Sequence, residues 1–306
     1  MFFEGSEKRV EVFVSSSTDP LRLLGEKFWA KIVASANAKI VSKMSNDFCD
    51  AYLLSESCLF VWDDRFLMLT CGTTTLVDAA ILFTEKLGRA AIVSASYQRK
   101  SEYFSHLQTS CFNDDVLRLR RYLAGAAYRI GHLDTHHHYI FTSDSIHPAG
   151  VIKSNSELLM YHIKGAAADY LRCDKQSSQG IRDMLELERV FVNFTFDDYL
   201  FDPCGYSING LCGDKYMTIH ITPQEESSYV SIETNSDFEF CPFSALLSKL
   251  QPQSWDVIGF NSTIITDDFP PYLLVASCIL PLNDNDTVQF NQYQQLTSEV
   301  LLPERL

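Results

Sequence analysis

Positive charge is what this chain has least of. Lysine and arginine number 25 against 39 aspartates and glutamates, for a net charge of −14. Nucleic acids and anionic membrane surfaces are bound through a basic footprint, so neither is expected as a partner, whereas a cationic small ligand is compatible. Long apolar runs are also missing, and none approaches the roughly 18–20 residues that a membrane helix needs. The nine cysteines (49, 58, 71, 111, 173, 204, 212, 241 and 278) include no CxxC pair and are odd in number, which points to a reducing compartment and a cytoplasmic location. The first residues, MFFEGSEKR, lack the basic-then-apolar pattern of a secretory signal, so none is expected. There is no low-complexity segment and no repeat at a period of about 20–50 residues.

What remains is a 306-residue chain, 46% hydrophobic and 21% charged. That suits a soluble globular protein with a substantial core. Alternation is its dominant pattern. RVEVFVS (9–15) sets Arg9, Glu11 and Phe13 against Val10, Val12 and Val14, and YMTIHIT (216–222) and YVSIETN (229–235) repeat the pattern, as half-buried strands do. Further strands are expected at 37–44, 90–97, 126–131, 138–142, 158–163, 190–196, 254–261, 271–280 and 286–291, and helices at 21–36, 73–87, 110–122, 165–172, 179–187 and 241–250. Strands come in runs without strict βαβ alternation, which favours an α+β fold with large antiparallel sheets. The polar DKQSSQG (174–180) is the best mid-chain linker.

Chemistry concentrates at AYLLSESCLFVWDDRFLMLTCGTTT (51–75), where Ser55, Glu56, Ser57 and Cys58 interrupt two apolar strands. Cys71, Ser207 and His220 likewise follow or interrupt apolar segments. Each alone is an ordinary core residue; together they have a use. A serine hydroxyl can attack its own preceding carbonyl to give an ester, given a strained turn, a proton acceptor and an oxyanion donor. β-Elimination then leaves dehydroalanine, which hydrolyses to a pyruvoyl group, an electron sink comparable to pyridoxal phosphate.

YLLSESCLFV followed by LTCGTT is similar to the self-processing site of eukaryotic-type S-adenosylmethionine decarboxylases, where the pattern is YVLSESS, an apolar residue, FV and then TCGTT. FFEGSEKRVEV (2–12), DPCGYSING (202–210), TIHITPQEE (218–226) and YVSIETN (229–235) resemble that family's FFEGTEK, NPCGYSMNG, TIHITPE and YVSFETN segments, in the same order. Residues 100–170 and 236–306 match poorly.

The resemblance implies a four-layer αββα sandwich, two antiparallel sheets with helices outside, built as one domain (1–306) from two similar halves. It implies cleavage at Glu56–Ser57 into a β chain (1–56) and an α chain (57–306), with Ser57 becoming a covalent pyruvoyl cofactor. His220 would remove the α-proton, Ser207 would hydrogen-bond the intermediate, and Cys71 would return a proton to the substrate. Phe3 and Phe201 would stack on the adenine, with Leu54, Glu56 and Gln224 also at the substrate and Glu4 and Glu7 as acidic site residues. Gln224 stands where the family has a ribose-binding glutamate, and either it or Glu225 takes that role. Cys58 replaces the second serine of SESS, a small-for-small change. The activity implied is decarboxylation of S-adenosylmethionine for spermidine and spermine synthesis.

Glu11, Glu233 and Asp174 match carboxylates that bind the activator putrescine in animal enzymes. A lysine of that network is replaced by Leu69, and a further carboxylate falls at Ser178. Two readings stay open: a putrescine site, or a plant-like arrangement in which internal cations such as Lys8 and Arg99 neutralise the carboxylates. The histidines of THHHYIF (135–141) alternate between strand faces, so at most His136 and His138 share a ligand, and no metal is expected. A regulatory paralogue that activates a true decarboxylase by heterodimerising is the rival function; homodimer and heterodimer are both open. Retention of Glu56, Ser57, Cys71, Ser207 and His220 opposes the rival.

Overall fold

The structure is a computed structural model that describes residues 5–144, 154–236, 240–264, 269–282 and 286–296. Two eight-stranded sheets, every ladder antiparallel, are built from successive parts of the chain. The first contains β1 (Lys8–Val14), β2 (Ile40–Ser45), β3 (Asp50–Leu54), β4 (Ser57–Val61), β5 (Arg65–Thr70), β6 (Ile92–Lys100), β7 (Gly125–Ile130) and β8 (His138–Ser143). The second contains β9 (Asn155–Tyr161), β10 (Thr195–Leu200), β11 (Tyr206–Cys212), β12 (Lys215–Thr222), β13 (Tyr229–Thr234), β14 (Ser254–Phe260), β15 (Tyr272–Pro281) and β16 (Thr287–Gln295). The strand orders are β2-β3-β4-β5-β1-β6-β8-β7 and β10-β11-β12-β13-β9-β14-β16-β15, so each strand of one sheet has a counterpart eight strands later in the other. The duplication that is invisible as sequence repetition is plain in topology.

Three helices, α1 (Glu26–Ser35), α2 (Leu76–Leu87) and α3 (Phe112–Leu119), cover the first sheet. Val10, Val12, Val14, Leu54 and Met68 pack with Trp29, Phe83 and Val116 in that outer core, where Trp29 stacks on Phe83 at 5.8 Å. The second sheet is covered in the same way by α4 (Gly165–Arg172), α5 (Ser178–Leu185), α6 (Leu187–Val190) and α7 (Phe240–Leu250), with Ile208, Ile219, Ile221 and Ile232 facing Leu171, Leu185 and Leu246. The four layers agree with the expected sandwich.

Three expectations need correction. β1, β12 and β13 are not half-buried but covered on both faces, by helices on one and by the opposing sheet on the other. The strand expected at 190–196 begins only at Thr195, because Phe191, Phe194 and Phe196 first turn a corner against one another and ladder pairing with Leu211 starts at Thr195. Residues 174–180 are no inter-unit linker: Ser177 caps α5 by accepting from Gly180 N–H at 3.1 Å, and the two halves join between β8 and β9.

Candidate functional site

The turn that carries Ser57 is a hairpin with only Ser55 and Glu56 between Leu54 and Ser57, which face each other across the ladder. Two-residue hairpin loops commonly place left-handed backbone at their central residues, but neither Ser55 nor Glu56 is left-handed here. The positive φ lies instead on Ser57, the first residue after the loop, at +123°, a conformation that side-chain-bearing residues hold only when their surroundings impose it. The surroundings are specific. Ser55 N–H donates to Lys39 O at 2.8 Å and Ser55 Oγ accepts from Lys39 N–H at 3.1 Å. On the far side, the backbone N–H of Cys71 donates to the carbonyl oxygen of Glu56 at 3.0 Å. Lys8 Nζ, donating to Gly72 O at 2.9 Å, and Thr74 Oγ1, donating to Cys71 O at 2.8 Å, hold the Cys71 loop in that position.

A cavity of about 230 Å³ opens on this turn, lined by Ser55, Glu56, Ser57, Cys71, Phe201, Asp202, Cys204, Gly205, Tyr206, Ser207, His220, Ile221 and Thr222. Both sheets contribute. Glu56, Ser57, Cys71, Phe201, Ser207 and His220, spread over 165 positions of sequence from 56 to 220, meet there as expected. Ser57 Oγ donates to Glu7 Oε1 at 3.2 Å, which places Glu7 at the site. Burial raises the Glu7 carboxyl to about 8, so it is largely protonated at neutral pH. Burial also raises the Cys71 thiol, beside Glu56 and Glu7, so it too stays protonated; its Sγ lies 3.9 Å from Glu56 Oε2. His220 goes the other way: burial lowers its imidazole to about 3, so it is neutral and able to accept a proton.

Other expected residues fare differently. Phe3 and Glu4 lie outside the described residues. Leu54 drops out as a side-chain contact, because strand alternation turns it into the core beneath the helices while the turn beyond it faces the cavity. Gln224 stands at the rim, its Nε2 donating to the cavity-lining Cys204 Sγ at 3.7 Å while its Oε1 is buried without a partner among the described residues. Glu225 is exposed.

The acidic cluster is real but differently composed. Glu11 and Glu233 meet between the sheets, joined not by Asp174, which is exposed after α4, but by Glu157 of β9, paired in register with Glu233. Arg9 sits among all three. Its Nη2 donates to Glu11 Oε2 and Glu233 Oε1, both at 2.9 Å, its Nε to Glu233 Oε2 at 3.0 Å, and Glu157 Oε1 is 3.4 Å away. The guanidinium lies 5.3 Å from the Phe260 ring centre. Lys100 pairs with Glu157, and Arg65 with Glu11 at 3.4 Å. Lys8 and Arg99 are not the internal cations. They point to the helix side of the sheet and bond Glu102 there, Arg99 also bonding Asp115. Sequence reasoning missed Arg9 and Glu157; the available signals were the opposite charges Arg9 and Glu11 on one face of RVEVFV and the single charge of ELLMY. His136 stacks on Tyr161 at 3.6 Å and His138 bonds Asp256 at 2.9 Å. Among the described residues no group of three or more histidine, cysteine, aspartate or glutamate side chains is arranged to hold a metal ion, and none of the described helices is long and apolar enough to cross a membrane.

Comparison with known proteins agrees with this geometry. Residues 1–255 match the family described as "Adenosylmethionine decarboxylase". The S-adenosylmethionine decarboxylase proenzyme of Leishmania donovani is 32% identical over 280 residues, covering 84% of this chain and 73% of that protein. The proenzyme of the same name from Trypanosoma cruzi is 34% identical over 252 residues, covering 76% and 68%. The crystal structure of the Trypanosoma brucei AdoMetDC-delta26 monomer shares the fold, with a TM-score of 0.62 at 24% identity over 78% of this chain and 99% of that one. With the family's profile matched across its first 255 residues and the sandwich in place, this chain belongs to the adenosylmethionine decarboxylase family.

Proposed function

We propose that this chain cleaves itself between Glu56 and Ser57 and that the processed protein decarboxylates S-adenosylmethionine, giving the aminopropyl donor for spermidine and spermine. The observation that carries the reading is the Cys71 N–H aimed at the Glu56 carbonyl oxygen, 3.0 Å away, beside a serine at φ +123°. A donor fixed on the carbonyl under attack is what an acyl shift requires. Ser57 Oγ adds to the Glu56 carbonyl carbon, passing its proton to Glu7. The C–N bond breaks, the amine takes up a proton, and an ester remains. His220 then takes the Ser57 α-proton; the electron pair forms Cα=Cβ, the Cβ–O bond breaks, and Glu56 leaves as the carboxylate of residues 1–56. Water replaces the nitrogen, releasing ammonia.

The residues around position 57 suit the resulting pyruvoyl group, because position 57 opens into the cavity next to a protonated thiol and a neutral imidazole. Such a group supplies a ketone that condenses with the substrate amine and draws electrons as carbon dioxide leaves. Phe201 offers an aromatic face to the adenine, the unpartnered Gln224 Oε1 offers an acceptor to a ribose hydroxyl, and Cys71 holds the proton that the substrate carbon needs. The test pairs a denaturing gel with carbon dioxide release from carboxyl-labelled S-adenosylmethionine. Two fragments, 1–56 and 57–306, and release by the processed protein are expected; an intact chain that still decarboxylates refutes the cleavage route. Processed protein that releases no carbon dioxide on its own favours the regulatory role, which the five assembled site residues oppose.

His220→Ala separates the two halves of processing. The acyl shift proceeds but elimination does not, so an ester accumulates and hydroxylamine cleaves it at Ser57. Processing at the wild-type rate in this variant removes His220 from the elimination step.

The internal cations bear on activation. Arg9, Arg65 and Lys100 face Glu11, Glu157 and Glu233, three charges against three, so no external diamine is needed for neutrality. Putrescine is expected to leave wild-type turnover unchanged. Arg9→Leu removes one partner of a buried network, costs about 3–5 kcal/mol of stability, and is expected to lower turnover in a way that putrescine partly restores. Stimulation of the wild type by putrescine in the same assay refutes this.

A further inference from the structure

On the far side of His220 from the cavity lies a row of side chains that the steps above do not use. In the β11–β12 ladder Ser207 faces His220 and Asn209 faces Thr218. Residues two apart on a strand share a face, so all four point into the layer between the sheets, and all four are buried. His220 Nδ1 lies 2.8 Å from Ser207 Oγ. Its Nε2 lies 2.8 Å from Thr218 Oγ1 and 3.3 Å from the Sγ of Cys58, which reaches across from β4. Thr218 Oγ1 in turn donates to Asn209 Oδ1 at 2.9 Å.

With the Asn209 amide oxygen facing Thr218 Oγ1, 2.9 Å away, the protons in this row have one consistent placement. An amide oxygen only accepts, and a threonine has a single hydroxyl proton. With that proton given to Asn209 Oδ1, the Thr218 oxygen accepts from whatever faces it, which is Nε2. The imidazole proton therefore sits on Nε2, leaving Nδ1 to accept from the Ser207 hydroxyl. Cys58, whose thiol burial keeps protonated, is a weak second acceptor for Nε2–H. Ser207 lines the cavity whereas Thr218, Asn209 and Cys58 do not, so the unprotonated nitrogen is on the cavity side. Turning the Asn209 amide end for end reverses every proton in the row and puts the proton on Nδ1 instead. Because burial keeps the ring neutral, the tautomer, not the charge, decides whether His220 can act as a base.

The geometry points to Thr218 and Asn209 as positioning residues that hold His220 as the Nε2–H tautomer, so that Nδ1, which accepts from the Ser207 hydroxyl at rest, is the nitrogen that receives the Ser57 α-proton once that hydroxyl turns away; this rests on the self-cleavage reading. The arrangement has the logic of a base oriented by a third group, with a neutral hydroxyl–amide pair in place of a carboxylate.

The test has two arms. In the first, the Ser57→Ala chain, which stays whole, is labelled with ¹⁵N-histidine, and His220 is picked out among the eight histidines by its loss in His220→Gln. A protonated, pyrrole-type Nε2 and a pyridine-type Nδ1 are expected. Thr218→Val should move His220 towards the other tautomer, whereas Thr218→Ser, which keeps the hydroxyl, and Asn209→Asp, which only accepts, should not. In the second arm, with Ser57 present, Thr218→Val should slow ester breakdown by at least about tenfold, with the hydroxylamine-sensitive ester accumulating, and Thr218→Ser should stay within about threefold of wild type. An Nδ1–H ring in the unsubstituted row overturns the proposal, as does a Thr218→Val chain unchanged in tautomer or in elimination rate. A wild-type chain that never cleaves overturns the self-cleavage reading instead, and the ring spectra still decide the tautomer.

Discussion

Ser57→Ala leaves the chain whole and without decarboxylase activity. The hydroxyl is the attacking atom of the acyl shift, and no other group in the cavity can form the ester that elimination requires. The expected readout is a single species at the 34.8 kDa of the full chain, against two fragments for the wild type that sum to the same mass plus one water and minus one ammonia. Cleavage in the wild type should depend on pH in a defined direction. Glu7, raised to about 8 by burial, receives the Ser57 proton only when ionised. Processing should therefore accelerate as pH rises towards 8 and level off above it. A rate that is flat between pH 6 and about 9 removes Glu7 from the proton transfer, and cleavage of Ser57→Ala at the same bond removes Ser57.

The second large effect is expected at Cys71, where backbone and side chain have separate roles. The backbone N–H that holds the Glu56 carbonyl survives substitution, so Cys71→Ala should still process. The thiol does not survive, and it is a protonated group lining the cavity beside the turn. A positioned acid contributes typically about 10²–10⁴-fold. Turnover of processed Cys71→Ala should fall by about that factor with KM near its wild-type value, the pattern of a group acting in the transition state rather than in substrate binding. Inactivation during turnover should speed up, because a proton delivered to the wrong carbon ends the cycle. Cys71→Ser should recover little, since a hydroxyl is a much weaker acid than a thiol. The decisive measurement is kcat, KM and inactivation rate on variants whose cleavage has first been confirmed by intact mass. Full turnover in processed Cys71→Ala takes the thiol out of the reaction.

Much of the site was legible in the sequence. A turn of Ser-Glu-Ser-Cys between two apolar strands, a thiol at the end of the next strand, and polar residues alternating through YSING and TIHIT are local patterns, and local patterns survive folding. Strand alternation also dictated that Ser207 and Asn209, or Thr218 and His220, share a face, which is how the row behind His220 was available to be read. The antiparallel character followed from runs of strands too closely spaced for helical crossovers.

Tertiary structure alone decided which partners those patterns met. Arg9 and Lys8 are adjacent and equally cationic, yet one faces three carboxylates between the sheets and the other faces Glu102 on the helix side. Alternation shows that Arg9 shares a face with Glu11 and Lys8 with Val10, but on a strand covered on both faces it does not show which face meets the opposing sheet and which the helices. Glu157 replaced Asp174 in the acidic cluster because β9 pairs with β13 in the register that brings Glu157 opposite Glu233. The Arg9–Glu233 pair closes across 224 residues. A buried ion tolerates only a partner held at contact distance, and contact between strands so far apart in sequence is set by sheet order and register, which spacing along the chain does not encode.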